Sequence, residues 1–223
     1  MGIPCVVYIT SAVLTPELSE LWETNMKGSN CTFQYFDNDR VLQSASTLGI
    51  RRYVDAVRPW AFKVDLWRYA QAIDTGGIFF DAEIQLYYLP EQIFDLDNEV
   101  LQVPRDRNPQ CFYNAIMAAP AKSSALRKVL IRAIENVRKR SYGYEDSATE
   151  PWLGITGPCT MAAALRTGRG WLTSKVKVIG TYPSPHALNM HGKRIALTND
   201  AVKRTIITND GHYATLWGKD MVY

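Results

Sequence analysis

The hydrophobic and polar positions of the chain switch between a strand-like and a helix-like period. Residues 4–10 form a continuous apolar run and residues 31–36 alternate, as in β-strands, whereas apolar positions over residues 18–26 recur at helical spacing after Thr15-Pro16, a typical helix start. Residues 37–40 are Asp-Asn-Asp-Arg and predict a turn-rich acidic loop. A strand, a helix and a second strand in this order predict a doubly wound α/β sheet.

The longest helical pattern begins near Pro59 and carries two stripes. The apolar stripe, predicted to face the core, consists of Phe62, Leu66, Tyr69 and Ile73. A second stripe, centred about 90° away, contains Asp65 and Arg68 between alanines. This polar pair is either part of a binding pocket or an exposed ion pair worth about 0.2–0.5 kcal/mol, and the spacing does not distinguish the two.

Two carboxylates follow this helix at a place that suits ligand binding. Gly76-Gly77 ends the helix, residues 78–80 form a short apolar strand, and Asp81 and Glu83 follow its carboxyl end. In an extended backbone, side chains two residues apart point to the same side. Two such oxygen donors suit Mg²⁺ or Mn²⁺, which are commonly shared with the phosphates of a substrate.

The second half of the chain predicts further strands and helices. Strands are expected over residues 99–103, 115–119 and 176–179, and a long amphipathic helix over residues 123–139. Thr156-Gly157-Pro158 precedes a shorter apolar helix, whose first backbone amides are placed to meet an anion. We therefore predict a single domain over residues 1–223.

Composition and charge narrow the function classes. The chain has 223 residues, 47% hydrophobic and 21% charged, which are ordinary values for a globular protein. A net charge of +3 is too small to argue for nucleic acid as a partner, and the basic cluster over residues 127–140 has the spacing of a solvated helix face. No apolar run is long enough to span a membrane. We expect a soluble cytoplasmic protein, or a soluble domain cut from a longer one.

The cysteines predict no special site. Cys5, Cys31, Cys111 and Cys159 are widely spaced and form no CxxC pair, which argues against a structural zinc site and a dense disulfide framework. Their apolar surroundings favour buried free thiols.

The central block of the chain resembles a known family. Ala61, Asp65 and Arg68-Tyr69, followed by residues 76–83, resemble the signature of the glycosyltransferases with a DxD sugar-binding region, the family 32 type. This group includes yeast α-1,6-mannosyltransferases, bacterial capsule enzymes and the core of the clostridial glucosylating toxins. The outer matches at Asn114, Thr156-Gly157-Pro158, His212 and Trp217 extend the resemblance over nearly the whole chain, and the absence of an anchor suits a bacterial or large-DNA-virus member.

The resemblance implies a GT-A fold with a mainly parallel central sheet, a UDP-linked hexose as donor, and Mn²⁺ or Mg²⁺ as cofactor. It makes Asp81 a contact to ribose and metal-bound water, and Glu83, which stands for the second Asp, a metal ligand together with His212. It makes Asp65 and Arg68 contacts to the hydroxyls of the donor sugar.

Five further residues complete the expected donor site. The resemblance implies that Thr215 and Trp217 close over the diphosphate and that Asn114 and Gly157 contribute to donor binding. Tyr8 is either stacked on the base or a core residue.

The resemblance implies a metal-dependent, retaining hexosyltransferase of glycan biosynthesis that acts on a nucleotide-sugar donor and a glycan acceptor. Its route is a front-face attack in which the leaving diphosphate accepts the proton of the acceptor. Two alternatives stay open: a catalytically degenerate nucleotide-sugar or carbohydrate-binding module, and a nucleotide-sugar hydrolase.

Overall fold

A computed structural model describes residues 2–166, 174–182, 187–206 and 213–223. The strands are β1 (Val6–Thr10), β2 (Thr32–Phe36), β3 (Gly77–Phe80), β4 (Ile84–Leu86), β5 (Leu101–Arg105), β6 (Ile116–Ala119), β7 (Val176–Thr181), β8 (Ala187–Met190) and β9 (Lys193–Thr198). The helices are α1 (Pro16–Met26), α2 (Asn38–Thr47), α3 (Arg51–Asp55), α4 (Trp60–Thr75), α5 (Pro90–Ile93), α6 (Ser124–Arg138), α7 (Pro158–Leu165), α8 (Asp200–Ile206) and α9 (Tyr213–Gly218), and a 3₁₀ turn spans Pro151–Gly154.

The strands form one nine-stranded sheet in the order β2-β1-β3-β6-β5-β7-β8-β9-β4. Among the described residues, β1–β2, β1–β3 and β5–β7 pair in parallel and five further pairings are antiparallel. The expectation of a mainly parallel sheet is therefore wrong: the sheet is mixed. One cause is the short connection between β5 and β6, which contains no crossover helix and so brings β6 back antiparallel to its neighbours.

Helices cover both faces of the sheet. Ile78 and Phe80 of β3 pack on the face covered by α1 and α8, whereas Phe79 packs on the face covered by α4, α6 and α7. This alternation follows from the two-residue period of a strand and accounts for the burial of the whole of β3.

The predicted end of α4 is confirmed. Gly76 caps the helix with φ +70°, and a Cβ there would lie 2.6 Å from the backbone nitrogen of Ala121. Gly77 has φ +118°, and a Cβ there would lie 2.7 Å from the ring of Tyr8. Both glycines therefore serve the tight passage from α4 into β3.

The predicted acidic loop over residues 37–40 is wrong, because these residues begin α2. The side chain of Asp37 accepts the backbone N–H of Arg40 at 2.8 Å and caps the helix. An acid at this position both satisfies an unpaired amide and interacts favourably with the helix dipole, so the acidic residues mark a helix start. The basic face of α6 is solvated as predicted, since Arg127, Lys128 and Arg138 are exposed.

The expectation of free thiols is also wrong. Cys5 pairs with Cys31 and Cys111 with Cys159, each with a Cα–Cα distance of 4.5 Å. The partners are 26 and 48 residues apart in sequence, so only the fold brings them together. Disulfides form mainly in oxidising compartments, which favours folding outside a reducing cytoplasm. Within the described residues no helix is long and apolar enough to cross a membrane.

Candidate functional site

A cleft of about 630 Å³ lies where the parallel strands β1 and β3 end. Thr10 and Ser11 line it at the end of β1, Asp81 and Glu83 after β3, and Gly157 at the start of α7. The carboxyl ends of neighbouring parallel strands are where open α/β sheets bind ligands. Further lining residues are Trp60, Ala61, Asp65, Arg68, Tyr113, Asn114, Trp152, Tyr182, Lys203 and Tyr213.

A buried hydrogen-bond network surrounds Asp65. Its Oδ1 accepts the side-chain amide of Asn114 at 2.7 Å, and its Oδ2 accepts the hydroxyl of Thr156 at 2.9 Å. The same amide of Asn114 also donates to the hydroxyl of Tyr69 at 2.8 Å, which in turn donates to the carbonyl of Thr156 at 2.9 Å. Three segments of the chain, namely α4, the turn before β6 and the residues before α7, thus meet in one network around this carboxylate.

Arg68 joins this network to the residues after β3. Its side chain is 4% exposed, and its guanidinium donates to the carboxylate of Asp81 and to the carbonyl of Asn114. Burial by itself would lower the pKa of Arg68, but the charges of Asp81 and Asp65 outweigh it and the pKa is raised. The guanidinium is therefore a fixed positive charge at the floor of the cleft.

Asp65 and Arg68 are not the exposed ion pair that their spacing allowed. Burial raises the pKa of Asp65 from its ordinary value of 3.8 to about 6, and the Arg68 charge and the Thr156 and Asn114 hydrogen bonds oppose this rise. Arg68 forms its ion pair with Asp81, which is 13 residues away in sequence. The polar stripe of α4 thus belongs to the cleft.

Asp81-Ala82-Glu83 is a turn, not the extended segment assumed from the sequence. The backbone N–H of Ile84 donates to the Asp81 carbonyl at 3.1 Å, and the indole N–H of Trp22 donates to the Ala82 carbonyl at 2.7 Å. The reasoning from strand period was wrong, although both side chains do line the cleft. Trp22 on α1 fixes the turn from behind.

The two carboxylates after β3 have few partners for their charge. Asp81 is 36% exposed and Glu83 17%, and the Nζ of Lys203 lies 3.8 Å from a Glu83 oxygen. Burial, followed by the nearby Asp81 charge, raises the pKa of Glu83 to about 7. At this end of the cleft the carboxyl groups of Asp81 and Glu83 therefore lie close enough to repel each other when both are ionised.

The donor set after β3 fits Mg²⁺ or Mn²⁺. Such ions take one or two protein carboxylates and fill their remaining positions with water and substrate phosphates, and Asp81 and Glu83 supply two. The third predicted ligand, His212, lies outside the described residues. Among the described residues, the cluster of three potential ligand side chains is Cys5, Cys31 and Glu91, but its sulfurs are joined in a disulfide and are not thiolates.

Asn114 and Gly157 lie at the centre of the site. Asn114 occupies the turn before β6, and both its amide and its carbonyl are used in the network. A Cβ at Gly157 would lie 3.3 Å from Oδ2 of Asp65, so a larger residue would crowd that acid.

Tyr8 belongs to the core. It is 4% exposed, its ring stacks on Phe79 with centroids 4.7 Å apart, and its hydroxyl lies 3.1 Å from the Thr75 hydroxyl. It is not among the residues that line the cleft. Of the two interpretations of Tyr8, packing describes its position.

Thr215 and Trp217 lie on α9 but do not line the cleft, whereas Tyr213 at the start of that helix does. The ring of Trp217 packs edge-on against Tyr144 and Trp152, and its indole N–H donates to a backbone carbonyl at 3.0 Å. Closure of Trp217 over a diphosphate therefore stays a prediction, and it requires the indole to leave these contacts.

Sequence reasoning missed several residues of the cleft. Tyr113 and Tyr182 stack with centroids 3.8 Å apart, and Lys203 faces Glu83. No spacing rule links these positions, because they come from separate loops and from α8. Thr156 donates to Asp65 beside these residues, and its position next to Gly157 is the sequence signal that it belongs to the site.

The chain is similar in structure to two solved glycosyltransferase structures. The chain matches a structure described as "PaToxG Glycosyltransferase" with a TM-score of 0.54 and 14% identity, over 74% of this chain and 69% of that one. It also matches "Crystal structure of the UDP-bound glycosyltransferase domain from the YGT toxin" with a TM-score of 0.41 and 11% identity, over 69% of this chain and 53% of that one, a likeness too weak to carry an argument.

Neither the comparison with protein-family models nor the comparison with curated proteins gives a match. The match to the PaToxG structure shows a shared fold, and it confirms the coarse part of the fold expectation. The described chain is an α/β protein with a mixed sheet and a glycosyltransferase-like fold.

Proposed function

We propose that the protein is a retaining glycosyltransferase that moves a hexose from a UDP-linked donor to a glycan acceptor. The observation that carries the proposal is the single cleft in which Asp65, Arg68, Asp81, Glu83 and Asn114 meet at the carboxyl ends of β1 and β3. Its support is the fold shared with a glycosyltransferase structure.

The position of Asp65 suits it to bind a sugar and fix the sugar's orientation. A carboxylate has about four acceptor positions. Asn114 donates one hydrogen bond to Oδ1 of Asp65, and Thr156 donates one to Oδ2. The acceptor positions that remain on each oxygen are available to sugar hydroxyls at the cleft surface. Because the acid is already fixed from behind, binding a sugar costs little reorganisation of the protein.

Asp81 and Glu83 are the residues that would hold Mn²⁺ or Mg²⁺ beside the donor diphosphate. When bound, such an ion stabilises the negative charge that grows on a leaving diphosphate. Arg68 and Lys203 add positive charge on the protein side, the first buried and the second 39% exposed. The cleft therefore offers oxygen donors to a cation and cations to a phosphate.

The proposed reaction breaks the bond between the anomeric carbon and the diphosphate oxygen. An acceptor oxygen forms the new bond on the same face of the sugar, and its proton passes to the leaving diphosphate. Arg68 would orient the sugar and stabilise the developing charge, and Asp65 would fix the sugar hydroxyls.

A donor panel tests the proposal. UDP release is measured from several UDP-hexoses with and without Mn²⁺, in the presence and absence of glycan acceptors, and product anomers are identified by NMR. We expect Mn²⁺-dependent release coupled to an α-linked product from an α-linked donor, and a loss of about 10²-fold in Asp81→Asn. Asp55→Asn, an exposed acid on α3, is the matched control.

The same panel separates the alternatives. UDP release without any modified acceptor indicates a hydrolase, and donor binding without release indicates a binding module. An inverted product anomer contradicts the retaining route, and an equal rate in Asp81→Asn and the unchanged protein contradicts the assignment of this acid.

A further inference from the structure

The Cys111–Cys159 disulfide lies directly behind the cleft. Both cysteines are buried, with 2% and 1% exposure. Cys111 precedes Asn114 by three residues, and Cys159 follows Gly157 by two in the first turn of α7. The bond thus joins the two chain segments that bring Asn114 and Thr156 to the site.

These two segments supply the hydrogen-bond donors that hold the carboxylate of Asp65. The amide of Asn114 donates to one oxygen at 2.7 Å and the hydroxyl of Thr156 to the other at 2.9 Å. The carbonyl of Asn114 also accepts from Arg68. A relative shift of the segments would therefore disturb both Asp65 and Arg68.

The noncovalent links between the two segments are weaker. The backbone N–H of Phe112 donates to the Pro158 carbonyl at 3.2 Å. Arg107 pairs with Glu150 at 3.0 Å, but the Arg107 side chain is 59% exposed. Exposed ion pairs contribute little, so the disulfide is the strongest connection between the segments beside the core packing.

We propose that the Cys111–Cys159 disulfide is a positioning crosslink of the donor site. It sets the distance between the Asn114 and Thr156 donors and so fixes the carboxylate of Asp65 against the sugar. The expected effect on kinetics rests on the proposed function. The expected effect on the position of the two segments rests on their geometry alone.

The second disulfide provides a matched control. Cys5–Cys31 joins the starts of β1 and β2, and about 16 Å of extended chain separates Cys5 from Thr10 at the cleft. The partners of the two disulfides are 26 and 48 residues apart in sequence. Their effects on the unfolded chain are similar, because loop entropy grows only with the logarithm of loop length.

The kinetic test compares the two double variants at a temperature where both are fully folded. In Cys111→Ser/Cys159→Ser we expect the KM for the UDP-sugar to rise about tenfold or more and kcat to fall, because a misplacement near 1 Å is costly in a binding site. In Cys5→Ser/Cys31→Ser both constants stay within about twofold. Equal effects, or no effect, in the two variants would overturn the proposal.

Amide hydrogen exchange tests the crosslink without activity and without the first double variant. In the Cys5→Ser/Cys31→Ser background, a small dithiol reduces the remaining disulfide, supplying two electrons and two protons and becoming a cyclic disulfide itself. We expect faster exchange over residues 111–116 and 154–159, with β1 unchanged. Unchanged exchange at verified reduction overturns the crosslink, whereas absence of UDP-sugar turnover in the unmodified protein would overturn only the proposed function.

Discussion

The two sides of the cleft satisfy their charges in different ways. On one side, which we call the network wall, Asn114 and Thr156 are buried, Asp65 is half-buried at the cleft, and hydrogen bonds of 2.7–2.9 Å join the three. On the other, the acidic rim, Asp81 and Glu83 lie close together and more exposed, with one ion pair to Arg68 and one at 3.8 Å to Lys203. The wall holds its carboxylate by hydrogen bonds, whereas the rim places two carboxylates close together, each with one cationic partner.

This difference indicates what each side binds. A wall with fixed acceptors suits a neutral ligand with many hydroxyl groups, because its dipoles need no rearrangement. A rim with two neighbouring carboxylates suits a hard cation, because a cation relieves their mutual repulsion. A nucleotide sugar presents both requirements in one molecule, with hydroxyls at one end and a metal-binding diphosphate beside them.

The largest expected effect comes from Arg68, which connects the wall to the rim. In Arg68→Met we expect UDP release to fall by about 10²–10³-fold, since a fixed cation in the cleft is lost. The free energy of unfolding should fall by about 3–5 kcal/mol, because the buried guanidinium is lost and Asp81 and Asp65 are left without the positive charge between them. Steady-state kinetics and urea unfolding measure the two effects.

Arg51→Met is the control for this substitution. Arg51 pairs with Asp55 at 2.8 Å, but the two side chains are 42% and 52% exposed. The variant should lose less than about 0.5 kcal/mol and retain its activity. A similar stability loss in both variants would contradict the view that the wall depends on a buried charge.

The next effect is a pH dependence of the wall. Because the pKa of Asp65 is raised from 3.8 to about 6, the folded protein binds a proton more tightly than the unfolded chain between these values. The contribution of Asp65 to stability therefore falls as pH rises through this window and is constant above it. The expected fall is up to about 3 kcal/mol, from about 1.4 kcal/mol per pKa unit.

The measurement compares the unfolding free energy of the unmodified protein with that of Asp65→Asn from pH 4 to pH 7. Subtraction removes the titration of other acids that the two proteins share. We expect the difference, unmodified minus variant, to decrease over this range. A difference that is constant or that increases would show that burial does not control this carboxyl.

The sequence predicted the wall in part, since the stripe of α4 identified Asp65 and Arg68 as a pair on one helix face. It left open whether they were exposed, because a 3.6-residue period gives the direction of a side chain but not what covers it. Asn114 and Thr156 provide that cover from 49 and 91 residues away in sequence. Contacts at such separations depend on the path of the chain and not on local pattern.

The same limit explains the errors in the fold. A strand over residues 115–119 was predicted and β6 is found there, but its antiparallel direction follows from the connection after β5, which sequence period does not describe. The pairing of Cys111 with Cys159 depends on where that connection meets α7. Local signals predicted elements well, such as the Gly76 cap, because they depend on backbone conformation at single residues.

The smallest expected effect tests the mutual repulsion of the two carboxylates on the acidic rim. Glu83→Gln removes one of two neighbouring negative charges that are partly shielded from water, so in metal-free buffer we expect a gain of about 1 kcal/mol in unfolding free energy.

The same variant should lose Mn²⁺-dependent UDP release by about tenfold or more, because an oxygen donor for the cation is weakened. Urea unfolding with a chelator present checks the stability, and Mn²⁺ titration of UDP release checks the activity. A loss of stability in Glu83→Gln would mean that its ion pair with Lys203 outweighs repulsion from Asp81, and the rim would then be satisfied in the same way as the wall.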